Sequence, residues 1–222
     1  MMSLKLSAPL IGLFSGGLLC LGLYGMSIEA SPFLSTAGNS VDRLRAVEAD
    51  PDVPFLSSKR ALTVFEFDCR SLAFGLTTPP IAPEDRTRLN EACYERARSL
   101  VETAPGNSRL WLTLAQFAAT LPDKRDVAFQ ALERSRAYGP WQYALAIERT
   151  RLIATLPDAP PAVIAVANGD IDTLAASYRG REALAQIYIT EPGRRDMITA
   201  AIEKRTPNEQ KHFVSRIQRN MR

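Results

Sequence analysis

The chain has 222 residues, 46% of them hydrophobic and 23% charged, the balance of a globular chain and not of a disordered or multi-spanning one. Its 27 Lys and Arg against 24 Asp and Glu leave a net charge of +3, too little to hold nucleic acid, so no nucleic-acid partner is expected. The cations are uneven: from Arg194 to Arg222 there are eight Lys and Arg against three acids, which makes this end the basic part.

From Leu6 to Ser27 no side chain is charged. A cleaved signal has an apolar core of roughly 7–15 residues and a spanning helix needs about 20, and this stretch lies between the two. Ile28 and Ala30 stand where small residues would precede a cut, and Leu19 before Cys20 speaks against lipoprotein processing. The expectation is a retained membrane anchor over residues 1–28, with a cleaved signal as the alternative, followed by a tether over 29–54. The short stretch ahead of the span favours an orientation with the N-terminus inside.

Beyond the tether the apolar residues step at helical intervals. Leu62, Phe65, Cys69, Leu72 and Leu76 make one face. After "TTPPIAP", Pro83 suits a first helical turn, and Leu89, Cys93, Ala97, Leu100 and Ala104 repeat the pattern. "PGNS" restarts a helix lined by Trp111, Leu114, Ala115, Ala118 and Leu121, and the turn "PDKRD" leads to Val127, Ala128, Ala131, Leu132 and Ser135. "YGP" ends that helix, and Ala144, Leu145, Ile153 and Leu156 line the next. No strand alternation is present, so the fold class is all-α: a single membrane helix and then antiparallel helical hairpins over 55–157. Beyond Pro157 the pattern weakens, with "PDAPP" read as a linker and "NGD" as a turn, and a helical extension is expected over 158–222. In its last helix Thr206, Pro207 and Glu209 form a capping box, and Phe213, Ile217 and Met221 form the packing face.

Pro105 and Pro140 lie 35 residues apart and each closes a helix with small residues on its face. With Trp111 and Leu114 in the preceding helix and Ala128 in the following one, the stretch 107–140 resembles the tetratricopeptide repeat, although Ala115 stands where that family has glycine and the turn holds one extra residue. Trp111 to Ala115, Ala131 to Ser135, Gly139-Pro140 and Arg149 to Leu152, together with the N-terminal span, also resemble small membrane-anchored repeat proteins of alphaproteobacteria associated with envelope polysaccharide synthesis and export. These resemblances imply a helical array that holds a protein partner in the cell envelope.

Chemistry is poorly represented. The one histidine, His212, lies in the basic last helix, Glu66 and Asp68 are two apart and diverge on a helix, and no glycine-rich phosphate loop is present outside the apolar stretch. One histidine and two cysteines outside the span cannot close a zinc site. No enzyme activity, cofactor or metal is expected. Trp111 is expected to fill the space between its helix and the next. Trp141 and Tyr143, which follow a helix break, and Arg149, read as a surface residue that pairs with nearby acids, are the candidates for partner contact. Lys211, Arg216 and Arg219 are the candidates on the basic helix, which either caps the array or binds anionic lipid or an acidic polymer. Cys69 and Cys93 flank a turn near Pro80 at similar distances, which permits a disulfide in an oxidising periplasm, with two buried thiols as the alternative. The functional expectation is a non-enzymatic scaffold on the bacterial inner membrane, its C-terminal domain in the periplasm.

Overall fold

The structure, a computed structural model, describes residues 7–34, 39–52, 59–73, 75–77, 79–156 and 158–221. Among the described residues there are eleven α-helices, two short 3₁₀ turns and no strand. The chain divides into two compact units, residues 1–96 and 97–222.

The first unit holds α1 (Ser7–Leu34), α2 (Ser40–Ala49), α3 (Lys59–Ala73) and α4 (Pro83–Thr103) up to Arg96. Residues 1–6 of the expected anchor, and 35–38 and 53–54 of the expected tether, lie outside the described residues. The side chains of α1 are described over 12–27, and among the described residues no helix is long and apolar enough to cross a membrane. The stretch read as a tether contains α2. Asn39 caps it, its Oδ1 accepting from the Val41 N–H at 2.9 Å, and Val41, Leu44 and Val47 bury one side. Arg96 closes the other end, donating to the carbonyls of Asp50, Pro51 and Asp52 at 2.8, 3.1 and 2.7 Å. The Asp50 carbonyl belongs to the cap of α2, and those of Pro51 and Asp52 to the chain that leaves it. Arg43 of α2 forms a two-point pair with the buried Asp68 of α3, at 2.5 and 2.8 Å.

Cys69 of α3 and Cys93 of α4 are joined by a disulfide, their Cα atoms 5.9 Å apart. Both are fully buried, with Phe65, Leu72 and Leu89 in the same unit's core. The face predicted over Leu62–Leu76 ends at Leu72, because α3 stops at Ala73 and Leu76 is exposed.

The second unit carries α5 (Ser108–Ala118), α6 (Arg125–Tyr138), α7 (Tyr143–Thr155), α8 (Pro161–Ala175), α9 (Tyr178–Thr190), α10 (Arg195–Glu203) and α11 (Pro207–Asn220). Helices α5, α7 and α9 begin 35 residues apart, at Ser108, Tyr143 and Tyr178. Each is followed by a second helix, so α5–α6, α7–α8 and α9–α10 are three successive helical hairpins in chain order; in the third, α9 packs chiefly on α11 and α8, and α10 on α8. The third hairpin falls where the sequence pattern weakens, yet its register is the same. Asn107 caps α5, its side chain accepting from the Arg109 and Leu110 N–H groups, and Ser177 caps α9 by accepting from Gly180. The capping box of Thr206 and Glu209 forms, and the Thr206 contacts hold the Glu209 carboxyl below its usual range. On α11 Phe213 is buried and Ile217 packs against the core beside it, whereas Met221 is exposed.

The "NGD" triplet, read as a turn, lies inside α8, and that reading is corrected. Asp170 faces the core and is held there by two arginines, and Gly169 leaves room for one of them: a β-carbon at that position would stand 3.1 Å from Arg136 Nη2. Trp111 is also corrected. The ring is half-buried, and its Nε1 donates to the Pro105 carbonyl at 2.6 Å, so it braces the turn before α5 instead of filling the core.

Among the described glycines, Gly180 lies nearest to a neighbouring helix. A β-carbon there would overlap the carbonyl of Leu174 at the end of α8, and backbone cannot move aside as a flexible side chain can. Gly180→Ala is expected to lower stability by about 1–3 kcal/mol, measured by urea denaturation. An unchanged midpoint would show that α9 slides freely against α8.

Candidate functional site

The interior of the second unit contains a polar core. Arg149, on the face of α7 between Leu145 and Ile153, is 0% exposed, and so is Asp170 on α8. The two meet in a two-point pair: Arg149 Nε donates to Asp170 Oδ2 and Arg149 Nη2 to Asp170 Oδ1, both at 2.7 Å. Arg136, near the end of α6, donates to Asp170 Oδ1 at 2.7 Å, to the Gly169 carbonyl at 3.1 Å and to the Pro140 carbonyl. The remaining Arg149 donors meet Ser135 Oγ at 3.1 Å and the Gly139 carbonyl at 3.3 Å. One carboxylate therefore fastens α6, α7 and α8 together. Burial pushes the Asp170 carboxyl up, against the pull of both guanidiniums. The expectation that Arg149 contacts a partner is corrected, because no part of it reaches solvent. Its position four residues after Leu145 and four before Ile153 is the signal that places it on the buried stripe.

Above this core, the turn between α6 and α7 brings out what the interior leaves over. Trp141 is 79% exposed, and the Arg136 guanidinium lies over one face of its ring, 6.0 Å from the ring centre. Tyr138 and Tyr178 are exposed as well. Tyr143 is half-buried and donates from its hydroxyl to the carbonyl of Arg179 at 2.5 Å, which ties the start of α7 to the start of α9. Tyr143 and Tyr178 occupy the same position in successive hairpins, each the first residue of its helix. The connections between successive hairpins, α6 to α7 and α8 to α9, thus carry the aromatic side chains Trp141, Tyr143 and Tyr178. Trp141 and Tyr143, the two candidates read from the sequence, fall together on the first of these connections, and Tyr178 and Arg179 were not singled out. The 35-residue interval from Tyr143 is the signal that finds Tyr178.

The basic helix divides its cations between two uses. Arg216 lies against α9, paired with Glu182 at 2.9 Å and donating to the Tyr178 hydroxyl at 2.6 Å, whereas Lys211 and Arg219 are exposed. Arg181 of α9 reaches Glu209 at 2.7 Å and the Ala175 carbonyl at 2.9 Å. His212 stacks on Tyr178, ring centres 4.2 Å apart, and its Nδ1 is buried with no hydrogen-bond partner. Burial, and then Arg216 and Arg181, hold the imidazole below its usual pKa. A base whose folded pKa is depressed takes up its proton more readily in the unfolded chain. Stability is therefore full above the unfolded value of about 6.5 and falls as pH drops through that value. Thermal unfolding followed between pH 8 and 5 should show this fall, and His212→Gln should flatten it; an equal slope in the variant would sink the assignment.

Among the described residues no group of three or more His, Cys, Asp or Glu side chains is placed to hold a metal ion. What the geometry offers is exposed aromatic rings on the connections between hairpins, over a cross-linked interior. No family model, no curated protein and no solved structure matches the chain.

Proposed function

We propose that this chain is a membrane-anchored scaffold of the bacterial inner membrane. Its array, of tetratricopeptide-like character, stands in the periplasm and holds a protein partner of an envelope polysaccharide synthesis or export system. It acts by binding and not by catalysis. The observation that carries the scaffold reading is the 35-residue register of α5, α7 and α9, which stacks hairpins so that the connections between them present Trp141, Tyr143 and Tyr178. Stacked hairpins of this kind make extended surfaces that grip other proteins.

Three features support anchor and compartment. About 22 uncharged residues from Leu6 to Ser27 would extend roughly 33 Å as a helix, and the described part of α1 exposes Leu13, Phe14, Leu18, Leu19, Leu21 and Leu23. The Cys69–Cys93 disulfide suits an oxidising compartment. The resemblance to membrane-anchored repeat proteins supplies the polysaccharide link. For α11 the capping role is favoured over direct binding of lipid or acidic polymer, since Phe213 is buried in the core and Arg216 is engaged with α9.

Carbonate washing of membranes followed by protease treatment of intact spheroplasts tests the reading. The chain should stay in the pellet and lose its array to external protease. Release by carbonate, or protection of the array, would refute it. A photo-crosslinker at position 141 should then give one discrete protein adduct in the membrane fraction.

A further inference from the structure

Helix α2 is ten residues long, and a helix of that length is marginal in water on its own. The polar groups that grip it belong to two other helices of the same unit. From α3, Asp68 takes the Arg43 guanidinium at 2.5 and 2.8 Å, near the start of α2. From α4, Arg96 donates to the Asp50, Pro51 and Asp52 carbonyls at its end, and Arg88 lies 3.6 Å from Glu48. The Arg96 guanidinium also sits over the Phe65 ring of α3, 5.6 Å from its centre, so this one side chain touches both neighbours. The two principal grips adjoin the two cysteines. Asp68 directly precedes Cys69, and Arg96 follows Cys93 by about one helical turn. A covalent bond with Cα atoms 5.9 Å apart therefore sets the separation of the groups that hold the two ends of α2. Without it, those groups stand on helices that nothing covalent joins at that level, and docking α2 must order all three helices at once.

We propose that the disulfide is a latch for α2: in the dithiol chain the helix is undocked, and joining Cys69 to Cys93 docks it. The step is a thiol–disulfide exchange with a disulfide oxidant. The oxidant's S–S bond and the two cysteine S–H bonds break, the Cys69–Cys93 bond forms, and the oxidant leaves as a dithiol carrying both protons and both electrons. Both cysteines are fully buried in the product, and a thiolate cannot attack a sulfur it cannot reach. The latch therefore closes once and stays closed while the unit is folded. Closing it also shortens the chain: ten residues span about 15 Å as a helix and up to about 33–36 Å when extended. The inference concerns the first unit alone, and it goes beyond the scaffold reading without depending on it.

The test is amide hydrogen exchange read by mass spectrometry on the full chain in detergent, comparing the disulfide-bonded protein with Cys69→Ala/Cys93→Ala. In the unbonded chain, peptides over residues 41–49 should exchange at least tenfold faster, whereas peptides over residues 86–95 of α4 should change less than threefold. Arg96→Gln with the bond intact removes the grip at the end of α2 and should release the same peptides, again leaving α4 protected. Equal protection of α2 in the bonded and unbonded chains would overturn the proposal, and so would full protection of α2 in Arg96→Gln. Joint loss over α2 and α4 would overturn it too, since the bond would then hold the whole unit together and not latch one helix. The carbonate, protease and crosslinking results stand or fall separately from all of these.

Discussion

Asp170→Ala is expected to destabilise the 97–222 unit by about 3–5 kcal/mol, the largest single-residue effect in the protein. The loss does not measure the attraction between Asp170 and Arg149. It comes from leaving the Arg149 guanidinium, 0% exposed, with only Ser135 and the Gly139 carbonyl to accept its hydrogen bonds, at 3.1–3.4 Å. Arg136 loses its carboxylate at the same time but keeps the Gly169 carbonyl, and its side chain already reaches solvent. Two further variants separate the explanations. Arg149→Met combined with Asp170→Leu removes both buried charges and should recover most of the loss. Asp170→Asn keeps the shape without the charge and should fall between. Urea denaturation followed by circular dichroism reads all three. A loss below about 1 kcal/mol for Asp170→Ala would mean that the interior reorganises around Arg149 without difficulty.

Opening the disulfide is expected to cost the 1–96 unit about 3 kcal/mol, the loop-closure contribution for a ring of this size. The two cysteines are 24 residues apart in sequence and fully buried between α3 and α4. Maleimide labelling of the denatured chain reads the bond directly. Cys20, exposed on α1, should give one adduct per chain before reduction, and three adducts should appear after it. Three adducts without reductant would remove the bond and one support for the periplasmic reading. Cys69→Ala combined with Cys93→Ala should lower the unfolding midpoint by the same amount as reduction, since alanine fills most of the volume a buried thiol occupies.

The helices from α3 to α7 were legible because each has an apolar stripe at helical spacing and a proline, asparagine or glycine near its ends. Helix α2 was hidden by its length: ten residues with Val41, Leu44 and Val47 on one side are too few to stand out in a stretch rich in charge. Helix α8 was hidden by Asn168, Gly169 and Asp170, residues that favour turns when nothing else acts on them. There the tertiary ion pair overrides local preference. Asp170 stands seven residues after Val163 and four before Leu174, on the stripe itself. Arg149 stands on the stripe of the preceding helix. An acid and a base on the apolar faces of consecutive helices is a pattern visible in sequence, and it would have moved Arg149 from the surface to the interior. Trp141 and Tyr143 were legible because they follow a helix break, where a side chain has no stripe to join. Tyr178 could be found only through the register of the third hairpin.

That register invites a question about copy number. Arrays with an even repeat lengthen and shorten by whole units, since removing one interval of 35 residues joins equivalent backbone positions. Excising residues 143–177 would leave Gln142 followed by Tyr178, each in a place its predecessor or successor already fits. Side chains forbid what the backbone allows. In such a shortened protein the place of Asp170 would fall to Arg205 if the first helices of the hairpins are superposed, or to Lys204 if the second helices are. Both residues lie past the end of α10 at Glu203, so Arg136 would find no carboxylate on a helix in that place. The same lack meets a permuted order, because counting by 35 residues puts Ser135 of α6, Asp170 of α8 and Arg205 of the turn after α10 at that interval, and only the middle hairpin brings an acid. The buried triplet works as an address that numbers the middle hairpin. Removing or moving that hairpin would have to change the arginines that meet Asp170 as well.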